Sequence, residues 1–318
     1  VKIKYQAAVY KLEKDNAGNI SRVHFVNWTK ESDYVEGKLV ILAAHAIESA
    51  VLLLHNNLSN SSGLVGKNLM DHPQGYGVGV YRDPLYTFRG PPTTSGIDEF
   101  RDGDFRKDTA AFRISIGNDG WSRFVRKDNP KKLDNLEFLI EEKFGIKDFV
   151  IGKALREAIE NKITRIFRFS YSTEMLPDES NRVELGSEID PVTRLPRPRI
   201  FFKIDVADSY NNNAFQKAQR VLNGLFKTLG VPDNDFEVQG NNSIFSGAGH
   251  IMGTLRMGDE AGKSVVNANC LSHDHNNLYI IGSGLFPTSA TANPTLTIAA
   301  LALRLAEEIS KRIKEKKA

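Results

Sequence analysis

The sequence predicts an α/β fold combined with an α+β segment, and three observations carry that reading. Lys38-Leu39-Val40-Ile41-Leu42-Ala43 is a continuous apolar run that turns directly, through Ala44-His45-Ala46, into an apolar helix over Ile47 to His55. Near the other end, Leu278 to Ile281 is a short apolar strand that breaks at Gly282-Ser283-Gly284. Runs of that kind suit strands buried on both faces, as in a parallel sheet. Between these ends, strand-like and helical runs alternate without single crossover helices, which predicts an antiparallel sheet.

Taken in order, Ile3 to Leu12 and Arg22 to Trp28 read as strands joined by the turn Asp15-Asn16-Ala17-Gly18-Asn19, a hairpin. The small residues around Ala44 would admit a ligand close to the backbone, or simply allow tight helix-on-sheet packing. Gly63 to Pro73 is dense in turn formers; His72, set between Asp71 and Pro73, reads as structural rather than catalytic. From Gly75 to about Asn242 the strand runs are Tyr76 to Tyr81, Ala110 to Ile116, Phe167 to Leu176 and Ile200 to Val206. The helical runs there are Leu133 to Phe144, Phe149 to Ala158 and Asn211 to Leu229, with turns over Pro191 to Pro198. The domain organisation expected is 1–72 with 243–318 as one domain and 73–242 as a second.

Gly247 to Gly258 holds four glycines around His250. A histidine in such tight backbone is a candidate general base, because imidazole titrates near working pH; a satisfied structural histidine is the alternative. After the strand at 278–281, Asn293-Pro294 opens an apolar helix reaching about Lys314, with asparagine suited to the N-cap and proline to the first helical position. A helix N-terminus gathers unpaired N–H groups and positive dipole, so it suits an anion or an electron-rich ring edge. An ordinary strand-loop-helix unit has the same pattern.

At 318 residues the chain holds about two domains. A net charge of +3 with 25% charged and 41% hydrophobic residues does not point to nucleic acid. Lys311, Arg312, Lys314, Lys316 and Lys317 read as a frayed, solvated helix end rather than a membrane-binding face. No apolar run is long enough to span a bilayer. One cysteine, Cys270, excludes an internal disulfide framework, and the seven histidines show no zinc-ligand spacing. His273 and His275 beside Asp274 read as a solvated turn. The chain begins at Val1, close to a strand, as if in mid-domain.

Gly249-His250-Ile251-Met252-Gly253-Thr254-Leu255-Arg256-Met257-Gly258, then Asn277 to Thr288, then Ala292-Asn293-Pro294-Thr295-Leu296-Thr297 closely resemble the C-terminal region of glucose-methanol-choline (GMC) oxidoreductases. The likeness is greatest to the branch of gluconate and fructose dehydrogenase large subunits. Ala43 to Ala50 resembles the family's second signature, Val65 to Pro73 its usual sequel, and Asn181-Arg182-Val183-Glu184-Leu185 another recurrent segment. His45 and Ala50 depart mildly from that signature. The larger departure is that no GxGxxG fingerprint for a dinucleotide diphosphate exists in this sequence.

The resemblance implies a partial FAD-binding Rossmann-like domain, with an antiparallel-sheet substrate domain capped by helices. It implies FAD as cofactor and oxidation of a CH–OH group of a sugar, polyol or related alcohol, with hydride passing to flavin N5. By the same resemblance His250 is the general base and Asn293 its catalytic partner, while Val9, Ala44, Gly282, Ser283, Pro294 and Thr295 contact the cofactor. The implied partners are an N-terminal segment carrying GxGxxG and an electron-acceptor subunit. An oxidase using O2, and an incomplete, non-catalytic fragment, are the alternative readings.

Overall fold

In the computed structural model, residues 1–118, 152–204, 209–239 and 247–315 are described. Among these residues the strands, in chain order, are β1 (Ala8–Lys14), β2 (Ile20–Val26), β3 (Ser32–Glu36), β4 (Val40–Leu42), β5 (Gln74–Val80), β6 (Thr93–Ile97), β7 (Phe112–Gly117), β8 (Ile166–Thr173), β9 (Arg182–Ile189), β10 (Pro196–Phe201), β11 (Phe236–Gln239) and β12 (Leu278–Ile280). The helices are α1 (Ala46–His55), α2 (Gly152–Ile163), α3 (Ser209–Thr228) and α4 (Thr295–Glu315). The expected helix at Leu133 to Phe144 lies outside the described residues, as does the start of the one expected at Phe149 to Ala158.

The contacts divide the chain into two compact units, Val1–His72 with Met175–Lys203 and Gly249–Ala318, and Pro73–Glu174 with Ile204–Ala248. In the first unit β1, β2 and β3 form an antiparallel sheet, β4 pairs with β12 in parallel, and β9 and β10 form a hairpin. The β1–β2 turn is closed by Asp15, whose Oδ1 accepts from the N–H groups of Ala17 and Asn19. Residues 3–7, expected to belong to the first strand, precede it. Asn277 fixes the start of β12: its side-chain amide pairs with the backbone of Ile20 in both directions at 2.8 Å, and its carbonyl accepts from Val40. The β4–β12 register and α1 are thereby set on one core, which includes Leu42, Ala50, Val51, Leu53, Tyr279 and Ile280.

Four expectations are corrected here. β4 is not buried on both faces: Leu42 is 8% exposed but Ile41 is 50% exposed, because only one side of the parallel pair is covered among the described residues. Residues 196–201, read partly as turns, form β10 despite Pro196 and Pro198, the kind of edge position that tolerates a residue without an N–H. His275 is buried rather than solvated; its Nδ1 lies 2.8 Å from the Gly18 carbonyl and its Nε2 accepts from Ser59 N–H. No group of three side chains able to hold a metal occurs among the described residues. The end of α4 is also less frayed than expected, since Arg312 bonds the Tyr279 hydroxyl at 2.7 Å.

The second unit is a five-stranded antiparallel sheet in the order β11-β5-β8-β7-β6, as the sequence predicts. Helix α3 lays Ala214, Phe215, Ala218, Leu222 and Phe226, spaced on one helical face, against Phe112, Ile114, Phe167, Phe169 and Tyr171 of the sheet. Among the described residues no helix is long and apolar enough to cross a membrane.

Candidate active site

The site residues that the structure gathers lie in the first unit, on three loops far apart in sequence. Met70 and Met252 exchange both backbone hydrogen bonds at 2.9 Å, an isolated antiparallel bridge that lays 249–253 beside 70–72. The approach is so close that a Cβ on Gly253 would overlap the Asn68 carbonyl oxygen, and Gly253 sits at φ +90°. Asp71, buried at 3%, then clamps the two segments. Its carboxylate accepts the backbone N–H groups of His72 at 2.6 Å, His250 at 2.8 Å and Gly249 at 3.0 Å.

The clamp brings His72 and His250 edge to face, with ring centroids 5.0 Å apart and Nδ1 to Nδ1 at 2.8 Å. Nε2 of His72 reaches the third loop, 3.1 Å from the carbonyl oxygens of both Ser289 and Ala290. Ser289 is itself tied down, its hydroxyl bonded to both backbone groups of Met175. Burial pushes the His72 pKa below the usual histidine value, against the opposite pull of the two carbonyls and Asp71. Burial and the neighbouring His72 likewise lower His250, with Asp71 opposing. A neutral, half-buried imidazole held by its backbone and one ring nitrogen can accept a proton at the other.

The remaining predicted positions fall in two groups. Ser283 joins the His250 segment: its hydroxyl donates to the Ile251 carbonyl at 2.6 Å and its own carbonyl accepts from Gly253. Gly282, at φ +142°, faces the Ala44 carbonyl across the ends of β4 and β12. Pro294 supplies the first helical acceptor of α4, bonding the Ile298 N–H at 3.0 Å, so the helix proper starts at Thr295. Asn293 therefore stands one position before the N-cap, a shift of one residue from expectation, and its exposed side chain makes no hydrogen bond among the described residues. Val9 is exposed on β1, paired with Phe25, and no hydrogen bond or ring contact joins it to the other site residues.

Two features of these residues suit a flavin dinucleotide. Ser49, beside Ala44, Gly282 and Gly284, has a buried hydroxyl with no hydrogen-bond partner among the described residues. The first-turn N–H groups of α4 have no intrahelical acceptor and so suit an electron-rich edge. His72 and Asp71 are the residues that the structure adds beside His250 and that sequence reasoning did not connect with it. The signal was there in Asp71-His72-Pro73 at the end of a turn-rich loop, but nothing local reveals a partner 178 residues away.

The chain is similar to several known proteins. Residues 177–302 match the family model for GMC oxidoreductase. The chain is 30% identical over 327 residues to the fructose dehydrogenase large subunit of Gluconobacter japonicus, covering 99% of this chain and 55% of that protein. It is 28% identical to 2-methyl-1,2-propanediol dehydrogenase of Mycolicibacterium austroafricanum, over 88% of this chain and 49% of that one. Among solved structures, pyridoxine 4-oxidase from Mesorbium loti superposes with a TM-score of 0.62 at 17% identity, covering 95% of this chain and 57% of that one. The chain thus spans about half the length of the curated relatives it matches. The family match, beside a relative aligned along nearly the whole chain, leads to one statement: residues 177–302 belong to the GMC oxidoreductase family.

Proposed function

We propose that this chain forms the proton-accepting and flavin-facing part of an FAD-dependent oxidoreductase acting on the CH–OH group of a sugar, polyol or related alcohol. The observation that carries the reading is His250, whose ring is fixed through Nδ1 while Nε2 has no partner among the described residues. FAD, when bound, supplies the acceptor for the hydride that leaves carbon. His250 takes the hydroxyl proton, and its lowered pKa keeps it neutral and ready at pH 7. Asn293, with its amide uncommitted to the helix, would hold the substrate oxygen in line. Ala44, Gly282, Ser283, Pro294 and Thr295 would hold the cofactor, with Val9 toward its adenosine end. The second unit, Pro73–Glu174 with Ile204–Ala248, is proposed as the substrate-binding domain; residues 175–203, expected in it, belong to the first unit.

The dehydrogenase reading draws on the relative aligned over 99% of the chain, a fructose dehydrogenase large subunit, while the oxidases among the other relatives keep an oxidase as the alternative. The first of these is the large subunit of its enzyme, which supports a partner subunit for this chain, proposed here as the electron acceptor. A second reading, that this chain alone does not retain cofactor, draws on its exposed apolar side chains. Ile41 is 50%, Leu303 71% and Leu296 82% exposed, surface that a segment carrying the diphosphate loop would cover. Expressing the chain and recording its visible spectrum tests both. Bound flavin that a sugar or polyol bleaches is the result expected of the enzyme; a colourless protein is the result expected of the second reading.

A further inference from the structure

An imidazole accepts a proton only at a nitrogen that lacks one, and here the neighbours decide which nitrogen that is. Carbonyl oxygens only accept, so His72 Nε2, facing those of Ser289 and Ala290, must carry hydrogen. His72 is fully buried and held neutral by that burial, which leaves its Nδ1 with a lone pair. The nitrogen 2.8 Å away, Nδ1 of His250, must then donate. His250 therefore carries its one hydrogen on Nδ1, the reverse of the tautomer that a free histidine side chain favours in water.

We propose that His72 is a positioning residue, which holds His250 in the Nδ1–H tautomer and so presents Nε2 as the proton acceptor. This rests on the reading of His250 as base given above, and it names the device that would make it one. The step it serves is a proton transfer: the alcohol O–H bond breaks, an N–H bond forms at Nε2, and the Nδ1 hydrogen stays directed at His72. The charge then on His250 is met by the His72 lone pair and, beyond it, by two carbonyls. Asp71 is the other charged group at the pair, and it meets the backbone rather than either ring. The backbone is bent to this end. Ala290 lies at φ +51°, an unfavourable left-handed conformation for alanine, where its carbonyl and that of Ser289 converge on one nitrogen.

The test is the tautomer itself, read by long-range proton–nitrogen NMR on the 15N-histidine-labelled chain at mildly alkaline pH, with signals assigned by single histidine replacements. His250 is expected as Nδ1–H and His72 as Nε2–H; His250 found as Nε2–H overturns the proposal. His72→Phe removes the acceptor and is expected to switch His250 to Nε2–H, and retention of Nδ1–H in that variant also overturns it. His72→Gln, whose amide can accept from His250 and donate to the carbonyls, should retain Nδ1–H, so the proposal stays testable if the phenylalanine variant does not fold. In flavin-loaded protein, His72→Phe should slow flavin reduction by roughly 10- to 100-fold, as loss of an orienting partner does elsewhere, with His72→Gln restoring most of it. The tautomer reading needs no flavin, so its failure is distinct from failure of the proposed activity.

Discussion

The carboxylate of Asp71 accepts the backbone N–H of His250 at 2.8 Å, and the same oxygen accepts the N–H of His72 at 2.6 Å. One side chain thus sets the separation of the two imidazoles without touching either ring. Asp71→Asn would turn an amide N–H₂ toward one of the three donors. The variant is expected to lose ~1–3 kcal/mol, the cost of an unmet buried hydrogen bond, read as a lower denaturant midpoint. An unchanged midpoint would show that the clamp does not hold the fold.

His250→Ala should leave flavin bound and slow flavin reduction by a factor of roughly 10² to 10⁴, the range ascribed to a general base. Stopped-flow reduction with excess substrate measures this. Reduction at the parent rate would remove His250 from the mechanism.

Asn293→Ala separates two roles that the sequence left tangled. The structure puts Pro294, not Asn293, at the acceptor position of the first helical turn. The thermal midpoint should therefore hardly move, with a stability change within ~0.5 kcal/mol. Flavin reduction should slow roughly 10-fold, the equivalent of one hydrogen bond. A marked loss of stability at full rate would assign Asn293 to the helix instead.

The lowered histidine pKa values have a definite sign. Activity that needs neutral His250 should persist below the ordinary histidine pKa of about 6.5 and fall only at more acidic pH. For stability, both histidines protonate more readily in the unfolded chain than in the folded one. Their contribution is complete above about pH 6.5 and is lost as the pH falls from there through the depressed folded values. His72→Gln should flatten that acid limb in a urea titration across pH.

Gly253→Ala should cost at least ~2 kcal/mol, since a Cβ there meets the Asn68 carbonyl and the backbone conformation is itself unfavourable to alanine. Circular dichroism on heating would show the loss.

What the sequence disclosed was what local chemistry determines. The apolar run that holds β4, the glycine break after β12 and the proline at the start of α4 each depend on neighbours a few residues away, and each was read to within a residue or two. The antiparallel sheet followed from strand runs not joined by single crossover helices, and α3 from the helical run over Asn211 to Leu229. What escaped was what depends on distant partners. His72 was read without its partners, because His250, Ser289 and Ala290 lie far away in the sequence. Ile41 looked buried because an unbroken apolar run says that a face is sticky, not that anything in the chain covers it. His275 looked solvated among polar neighbours, although Gly18 and Ser59 enclose it.

The pairing of His72 with His250 also bears on how the chain folds. The two rings and the Ser289–Ala290 carbonyls are separated by 178 and more than 200 residues, so they meet only after most of the polypeptide has been ordered. Contacts of such long sequence separation form slowly, because the closure entropy must be met before they return any stability. The Nδ1–H state of His250 is thus a record of completed folding: a chain in which the last quarter has not docked still has both histidines, but not the nitrogen that would take a proton.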